Sequence, residues 1–434
     1  MALLQPTADD VRDVRRVLAS WDLERYIAVR DEQRASGDAP PELVFLRHNA
    51  TLEEALRTLS VHRILSAPIL NAYTGDFSGF FSLSDLLKSL LKGLFPALLA
   101  PQLTSAEAML DFIRATTPES LKLNDLAQWA RSGFLSEHLV RPGADGDIVF
   151  RGFTTTSFLD LISHGLKRSS PDEVRFGDFE PSHRYGPLVP SLLFSAAANF
   201  PLSIAIYDEL PEGKMKIVEV VSQSDVLRAL LRDKDALGTF PAVRTVEELF
   251  GRKDVLTVPS NMPVIAVRLV AKSHRLRQLT APSQAFALMH NLDISGVPVV
   301  ETVSGHMVAN LSVSDLRCLR TPDDFDLLGL EAIRFAHARW ESEANLEGLA
   351  QAGAQPPTPG TAVPAQQERS KRPAVVTVAM DATLLHVIEC LVHFRVHRVY
   401  VEEKARPVSV VTITDVLRLF AVDPNDDREG LLSF

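Results

Sequence analysis

The stretch SVVTITDVLRLF, residues 409–420, joins an apolar strand pattern to an apolar helical pattern through two hydroxyl residues and a carboxylate. Those three polar residues are Thr412, Thr414 and Asp415. The same arrangement, an apolar run followed by [ST]-x-[ST]-D and a helical pattern, occurs three more times, in GFFSLSDLLKSLL (79–91), EVVSQSDVLRALL (219–231) and ANLSVSDLRCL (309–319). Four copies indicate an internal repeat rather than an isolated helix cap.

A second recurring pattern, a short apolar strand with a turn-like segment, precedes each motif. The strands are ILSAPIL (64–70), PLSIAIYD (201–208), ISGVPVVE (294–301) and HRVYVEE (397–403). Amphipathic helices come before them, with Thr51 and Thr383 as expected N-caps and Thr51 with Glu54 as a capping box. One unit of helix, strand, turn, strand and helix spans about 55–65 residues. Because one unit cannot bury both of its faces alone, we expect the units to pair.

On these residues the unit resembles the cystathionine-β-synthase (CBS) domain, two of which form a Bateman module. Four repeats without an attached catalytic, channel or transporter domain are similar to the γ regulatory subunit of the AMP-activated and sucrose-non-fermenting kinase family. The resemblance covers most of residues 41–421. It implies an α/β (α+β) fold in which four CBS repeats pair into two Bateman modules that form a disc-like body.

The repeats predict the domain organisation. They are expected at 41–93, 136–233, 245–320 and 374–421, the second with an inserted loop and the third with an insertion. An N-terminal helical segment is expected at 1–40, and two helical connectors are expected at 94–135 and 321–347. A Pro-, Ala- and Gln-rich linker at 348–373 is expected to be disordered, and a tail follows at 422–434.

Bulk composition argues against several classes of function. A chain of 434 residues with 46% apolar and 23% charged residues is typical of a globular protein with a sizeable core. The net charge of -10 argues against nucleic-acid binding as the main function. Both cysteines, Cys318 and Cys390, fall in apolar helical patterns, which favours reduced core thiols in a reducing compartment.

Targeting and catalytic motifs are not found in the sequence. The N-terminus lacks a secretory hydrophobic region, and Lys88, Lys92 and Pro96 interrupt the most apolar stretch, so we expect neither secretion nor a membrane span. The expected location is the cytoplasm, the nucleus or both. No P-loop, G-x-S-x-G, H-E-x-x-H or kinase catalytic-loop motif occurs, which predicts a protein without catalytic residues or a metal site.

The resemblance implies a ligand in the cleft between paired repeats. The motif carboxylates would accept hydrogen bonds from the two ribose hydroxyls, since an ionised carboxylate is a pure acceptor. These residues are Asp85, Asp225, Asp315 and Asp415. The motif hydroxyls and the helix N-termini suit phosphate oxygens, and the hydroxyl residues are Ser82, Ser84, Ser222, Ser224, Ser312, Ser314, Thr412 and Thr414. The competing interpretation is that each Asp only caps its helix.

A phosphate ligand also requires cations. His397 and Arg398 stand directly before the strand of repeat four, and the resemblance implies that they face the phosphates. His62 and Arg63 form a similar pair three residues further from their strand, so they either face the phosphates or end the preceding helix. Repeats two and three carry no cation at this point, which leaves open how many phosphates are bound.

The resemblance implies a non-catalytic γ-type subunit that senses cellular energy by binding AMP, ADP or ATP as regulatory ligands, without a cofactor. Its expected protein partners are the catalytic α and scaffold β subunits of a Ser/Thr kinase, with no nucleic-acid or membrane partner. Two alternatives remain. One is a structural kinase scaffold whose pockets are empty or permanently filled. The other is a stand-alone CBS-domain regulator of another enzyme that binds an adenosyl ligand such as S-adenosylmethionine.

Overall fold

The computed structural model describes residues 3–4, 6–35, 43–71, 73, 77–87, 141–142, 152–153, 157–167, 203–209, 215–261, 286, 289, 294–339 and 375–421. The predicted connector 94–135, the linker 348–373 and the tail 422–434 lie outside these residues, as do most of the insertions in repeats two and three.

Short helices alternate with short strands. The α-helices are α1 (Ala8–Ser20), α2 (Leu23–Ala35), α3 (Leu52–Val61), α4 (Phe158–Lys167), α5 (Gln223–Arg232), α6 (Phe240–Val243), α7 (Val246–Leu249), α8 (Leu384–His393) and α9 (Ile413–Ala421). Further helical segments are the 3-10 helices Lys234–Ala236, Val313–Cys318 and Pro322–Gly329, and residues 83–87 and 332–339. The strands are β1 (Leu46–Arg47), β2 (Ser66–Leu70), β3 (Phe77–Ser82), β4 (Arg141–Pro142), β5 (Gly152–Phe153), β6 (Ser203–Glu209), β7 (Met215–Ser222), β8 (Val258–Pro259), β9 (Gly296–Val300), β10 (Met307–Ser312), β11 (Thr377–Val378), β12 (Arg398–Glu403) and β13 (Arg406–Thr412).

Each repeat provides the two long strands of one small mixed sheet, and β4, which lies inside the bounds predicted for repeat two, pairs antiparallel with β3 of repeat one. The orders are β1-β2-β3-β4, β5-β6-β7, β10-β9-β8 and β11-β12-β13. The two long strands of each sheet are antiparallel, and a two-residue strand from the start of the repeat adds in parallel to the first of them. The mixed helix and strand content confirms the predicted fold class, whereas the sequence patterns did not predict the short parallel strands.

The four sheets share one register at the motif. The first motif hydroxyl lies opposite the first residue of the preceding long strand in every repeat, in the pairs Ser66–Ser82, Ser203–Ser222, Gly296–Ser312 and Arg398–Thr412. Directly opposite residues in an antiparallel pair project their side chains to the same face. The first strand position of each repeat is therefore next to the motif.

The predicted helix caps are confirmed. The Thr51 hydroxyl accepts from the N–H of Glu54, and the Glu54 carboxylate accepts from the N–H of Thr51, which completes the capping box of α3. Thr383 accepts from the N–H of His386 at the start of α8. These contacts satisfy N–H groups that have no partner inside the first helical turn.

The helix predicted after the third motif is instead a 3-10 helix, Val313–Cys318. Its final hydrogen bond runs from the N–H of Leu319 to the carbonyl of Leu316, three residues earlier. Pro322 follows closely, and a proline disfavours helical backbone in the residue before it. This helix ends after six residues, whereas α5 and α9 have ten and nine.

The chain divides into two compact units. Unit 1 comprises Met1–Leu43, Asp145–Val255 and Val376–Phe434, and unit 2 comprises Val44–Ala144 and Leu256–Val375. Unit 1 therefore holds the N-terminal helices with the second and fourth motifs, and unit 2 holds the first and third motifs. Each unit has its own buried apolar core. Each compact unit thus joins repeats that are not neighbours in the sequence.

The N-terminal helices belong to the core of unit 1. Helix α1 packs against α4, α5 and α9, and its residues Val11, Val14 and Leu18 are at most 1% exposed. The ring of Trp21 stacks on that of Phe158, with centroids 6.2 Å apart. Burial of these large side chains stabilises the unit, because apolar area removed from water contributes about 25 cal/mol per Å².

Within the described part of the chain, no helix is long and apolar enough to cross a membrane. Across the same residues, no group of three His, Cys, Asp or Glu side chains has the arrangement of a metal site.

Candidate functional site

All four motif carboxylates cap the helix that follows them. Oδ2 of each Asp accepts from the main-chain N–H of the residue three positions earlier, at 3.2 Å for Asp85 and 2.8 Å for each of the other three. The motif hydroxyl of Ser82, Ser222 or Thr412 donates to the same oxygen. Each motif carboxylate therefore caps its helix through Oδ2, and whether it also binds ribose stays a prediction.

In the second, third and fourth motifs, the other carboxylate oxygen contacts a cation. Oδ1 of Asp225 lies 2.6 Å from an Arg228 nitrogen, one turn along the same helix. Oδ1 of Asp315 lies 2.5 Å from Arg339, and Oδ1 of Asp415 lies 3.9 Å from Lys253 Nζ. The last two cations are distant in sequence and come from outside the local repeat unit, so the motif spacing contains no signal for them.

The third motif is enclosed by protein. The side chains of Asp315 and Arg339 are 1% and 8% exposed, and the Ser312 and Ser314 hydroxyls lie 2.5 Å apart. Because Arg339 already contacts Oδ1, a ribose diol at Asp315 would have to displace a buried guanidinium. This geometry disfavours Asp315 as a ribose site, although its assignment stays a prediction.

Repeat four brings its predicted residues together. Arg398 begins β12 directly opposite Thr412, and its side chain is 8% exposed. The Thr412 hydroxyl donates to Asp415 at 2.7 Å, and the carbonyl of His397 accepts from the N–H of Ile413 at 3.0 Å. The hydroxyl of Thr412 and the carboxylate of Asp415 thus lie at the N-terminus of α9, which also favours negative charge. Arg398 stands opposite Thr412 on the neighbouring strand.

His62 and Arg63 lie elsewhere in their repeat. In repeat one, the N–H of Leu83, the first residue after the motif strand, donates to the carbonyl of Leu65. In repeat four, the corresponding N–H of Ile413 donates to the carbonyl of His397. Leu65 therefore occupies in repeat one the position that His397 has in repeat four. His62 is the C-cap of α3, and Arg63 has a φ of 55°, the left-handed conformation common just beyond a helix. Burial lowers the pKa of His62. The position supports the alternative that this pair ends the helix, and its phosphate role stays a prediction.

The position of Arg398 carries no cation in the other repeats. Register places Ser66, Ser203 and Gly296 there in repeats one, two and three. Repeat four is therefore the repeat in which the predicted basic residue stands beside its own motif.

A further polar contact that the sequence patterns did not predict involves Gln223. Gln223 occupies the x position of the second motif, where the other copies carry Leu83, Val313 and Ile413. The Thr414 hydroxyl donates to Oε1 of Gln223 at 3.2 Å, so the second and fourth motifs of unit 1 touch. A polar Gln223 at a position that is apolar in the other copies is visible in the sequence, whereas its contact with Thr414 is not.

Two regions of the chain, residues 39–92 and 371–422, match the family model described as the CBS domain. The chain thus contains CBS domains in two regions, which confirms the resemblance stated from the motifs. A curated relative from Arabidopsis thaliana is the SNF1-related protein kinase regulatory subunit gamma-1-like, 32% identical over 154 residues. That match covers 35% of this chain and 30% of the relative.

Two solved structures also align with most of the chain. One is a Methanocaldococcus jannaschii protein, proposed to be an archaeal homolog of g-AMPK, at 14% identity and a TM-score of 0.46, covering 88% of this chain and 97% of that one. The other is an uncharacterised conserved protein of Pyrococcus horikoshii, at 12% identity and a TM-score of 0.36, covering 87% and 95%.

Proposed function

We propose that this chain is a non-catalytic γ-type regulatory subunit of a protein kinase, and that it binds an adenine nucleotide at the fourth motif. The observation that carries the proposal is that Arg398 lies directly opposite Thr412 in the sheet, while the Thr412 hydroxyl donates to Asp415 at the N-terminus of α9. The similarity to a kinase regulatory subunit over 154 residues supports the kinase role. The CBS domain at 371–422 includes all three residues.

The chemistry of this site suits a nucleoside phosphate. Arg398 can bind phosphate oxygens through two parallel hydrogen bonds. Oδ1 of Asp415, which the cap does not use, can accept from ribose hydroxyls when Lys253 moves away from it. Apolar strand residues beside the motif would pack against adenine. The same set of groups fits AMP, ADP and ATP.

Binding would regulate a partner only if the ligand favours one of two states of the assembly. The expected partners are the catalytic α and scaffold β subunits of the kinase. The test of this part is copurification of the full chain with both subunits, followed by kinase assays with and without AMP. A change of activity with AMP is expected for a sensor.

The site itself is tested by calorimetric titration of the full chain, stripped of bound ligand, with AMP, ADP, ATP and S-adenosylmethionine. Asp415→Asn is expected to lower the affinity for adenine nucleotides at least tenfold, since a charged hydrogen-bond acceptor is lost. Asp160→Asn is the matched control, because Asp160 forms the same kind of cap with Ser157 in unit 1. Equal affinity in the two variants, or binding of S-adenosylmethionine alone, would reject the assignment.

A structural scaffold is the second candidate function. The buried contact of Asp315 with Arg339 favours it, because a motif whose carboxylate is occupied by the protein needs no ligand. Kinase assembly without any nucleotide binding or nucleotide-dependent activity would support the scaffold and reject the sensor.

A further inference from the structure

A buried amide lies where the second and fourth motifs of unit 1 meet. Gln223 is 6% exposed, and its Oε1 accepts from the Thr414 hydroxyl at 3.2 Å. Its Nε2 is shielded from solvent and has no hydrogen-bond partner among the residues that the structure describes. Leaving a buried donor unsatisfied costs free energy, so a bound ligand that accepts a hydrogen bond would be stabilised at this amide.

The surroundings of this amide favour an anion. Gln223 is the first residue of α5, and Thr414 lies in the first turn of α9. The contact between them therefore brings two helix N-termini together. Main-chain N–H groups of a first turn lack helical acceptors, and the helix dipole adds partial positive charge there. The caps and His397 already accept from the N–H groups of Ile413 and Asp415. What the two helix ends add beside the amide of Gln223 is therefore their partial positive charge.

Lys253 adds a full positive charge beside the fourth motif. Its main-chain N–H donates to the carbonyl of Val408 at 3.1 Å, which fixes it against β13. Its neighbour Arg252 forms an ion pair with Glu403 of β12. Lys253 Nζ lies 3.9 Å from Oδ1 of Asp415, and its side chain is 31% exposed. The ammonium is thus held near the site by its backbone, while its side chain keeps access to solvent.

We propose that Gln223 and Lys253 are the phosphate-binding residues that complete the site of the fourth motif for a nucleoside phosphate. The inference rests on the proposed function and adds two residues from outside repeat four. Gln223 donates through Nε2 to a phosphate oxygen. Lys253 leaves Asp415 for the phosphate, which frees Oδ1 of Asp415 for the ribose. A neutral nucleoside engages Asp415 but neither of the two added residues.

The test compares AMP with adenosine in calorimetric titrations of the full chain. Wild type is expected to bind AMP more tightly than adenosine. Lys253→Met is expected to reduce the preference for AMP about tenfold, since one charge-assisted hydrogen bond is lost. Adenosine affinity should stay the same or rise, because Lys253 no longer competes with ribose for Oδ1 of Asp415, and Lys253→Arg should restore part of the preference.

Gln223→Leu is expected to reduce the same AMP preference. It should also leave the midpoint of thermal unfolding unchanged or higher, because an unsatisfied buried amide is removed. A purely structural role for Gln223 would lower the midpoint and affect both ligands equally. Lys234→Met is the matched control, since Lys234 is an exposed lysine of unit 1 beyond the C-terminal end of α5, whereas Gln223 begins that helix.

Failure of the inference and failure of the proposed function give different results in these titrations. If AMP binds, Asp415→Asn weakens it, and both Lys253→Met and Gln223→Leu leave the AMP-to-adenosine ratio unchanged, the inference is wrong and the proposed function stands. An equal loss of AMP and adenosine affinity in Lys253→Met would also overturn it. If wild type does not bind AMP, the proposed function is wrong and this inference falls with it.

Discussion

Arg339 contacts Oδ1 of Asp315 at 2.5 Å, and the two side chains are 8% and 1% exposed. The other oxygen of Asp315 accepts from the N–H of Ser312 at 2.8 Å. Both charges are therefore buried and compensated inside unit 2. Such a pair contributes little net stability by comparison with apolar residues, but removal of one partner leaves an uncompensated buried charge.

Arg339→Met is expected to destabilise unit 2 by about 3–5 kcal/mol, because Asp315 then remains buried without a cation. The double variant Asp315→Leu with Arg339→Met is expected to recover most of that loss. Urea unfolding measures the stability of the single and the double variant, with the exposure of Cys318 as the signal for unfolding of unit 2. Wild-type stability in Arg339→Met alone would show that the pair is not buried as described.

A second buried charge links the N-terminal segment to repeat two. Glu219 is 2% exposed, and its Oε1 lies 3.5 Å from Arg30 of α2. Arg30 also donates to the Tyr26 hydroxyl at 2.6 Å. Burial and, to a smaller extent, the negative charge of Asp225 raise the pKa of Tyr26, so this hydroxyl stays protonated. The N-terminal helix thus compensates a carboxylate of the repeat-two sheet.

Arg30→Met is expected to lower the free energy of unfolding of unit 1 by about 2–4 kcal/mol, since Glu219 then loses its cation. Adding Glu219→Ser should restore most of that loss, because repeat four carries the fully buried Ser409 at the corresponding place, three residues before its motif hydroxyl. Chemical unfolding compares the three proteins. A double variant as unstable as Arg30→Met would contradict the assignment.

The sequence predicted the features that depend on local periodicity. Alternating apolar strands, the spacing of [ST]-x-[ST]-D and the Thr51–Glu54 box depend on residues within a few positions of one another, and those patterns were correct. The three-residue offset of His62 and Arg63 was also visible, and it corresponds to their place at a helix end.

The sequence did not predict the features that depend on which repeats pair. Lys253 reaches Asp415, and Gln223 reaches Thr414, across 162 and 191 positions (415 - 253 and 414 - 223). The two-residue strands carry too few residues to show an alternating pattern. The 3-10 form of Val313–Cys318 has no signal in a sequence pattern that resembles those of α5 and α9.

The two cysteines provide a test of both cores, since Cys390 lies in unit 1 and Cys318 in unit 2 and both thiols are free and buried. Burial raises the pKa of Cys318 strongly, with the nearby Asp315 carboxylate adding to it, and burial also raises the pKa of Cys390. The thiolate is the reactive form. We therefore expect iodoacetamide at pH 8 to modify neither thiol in the native chain, and both after unfolding.

The same pKa shifts predict the direction of a pH effect. A thiol whose pKa is raised by folding keeps its proton in the native state while the unfolded chain releases it, so stability is complete below the ordinary thiol pKa and falls as pH rises above it. Cys318→Ala should reduce the part of this decline that arises in unit 2.

Mass spectrometry of alkylated peptides across pH 7–10 assigns each thiol, with Cys390→Ser leaving Cys318 as the single reporter. Rapid native labelling of Cys318 at pH 8 would show that the core of unit 2 is open to solvent.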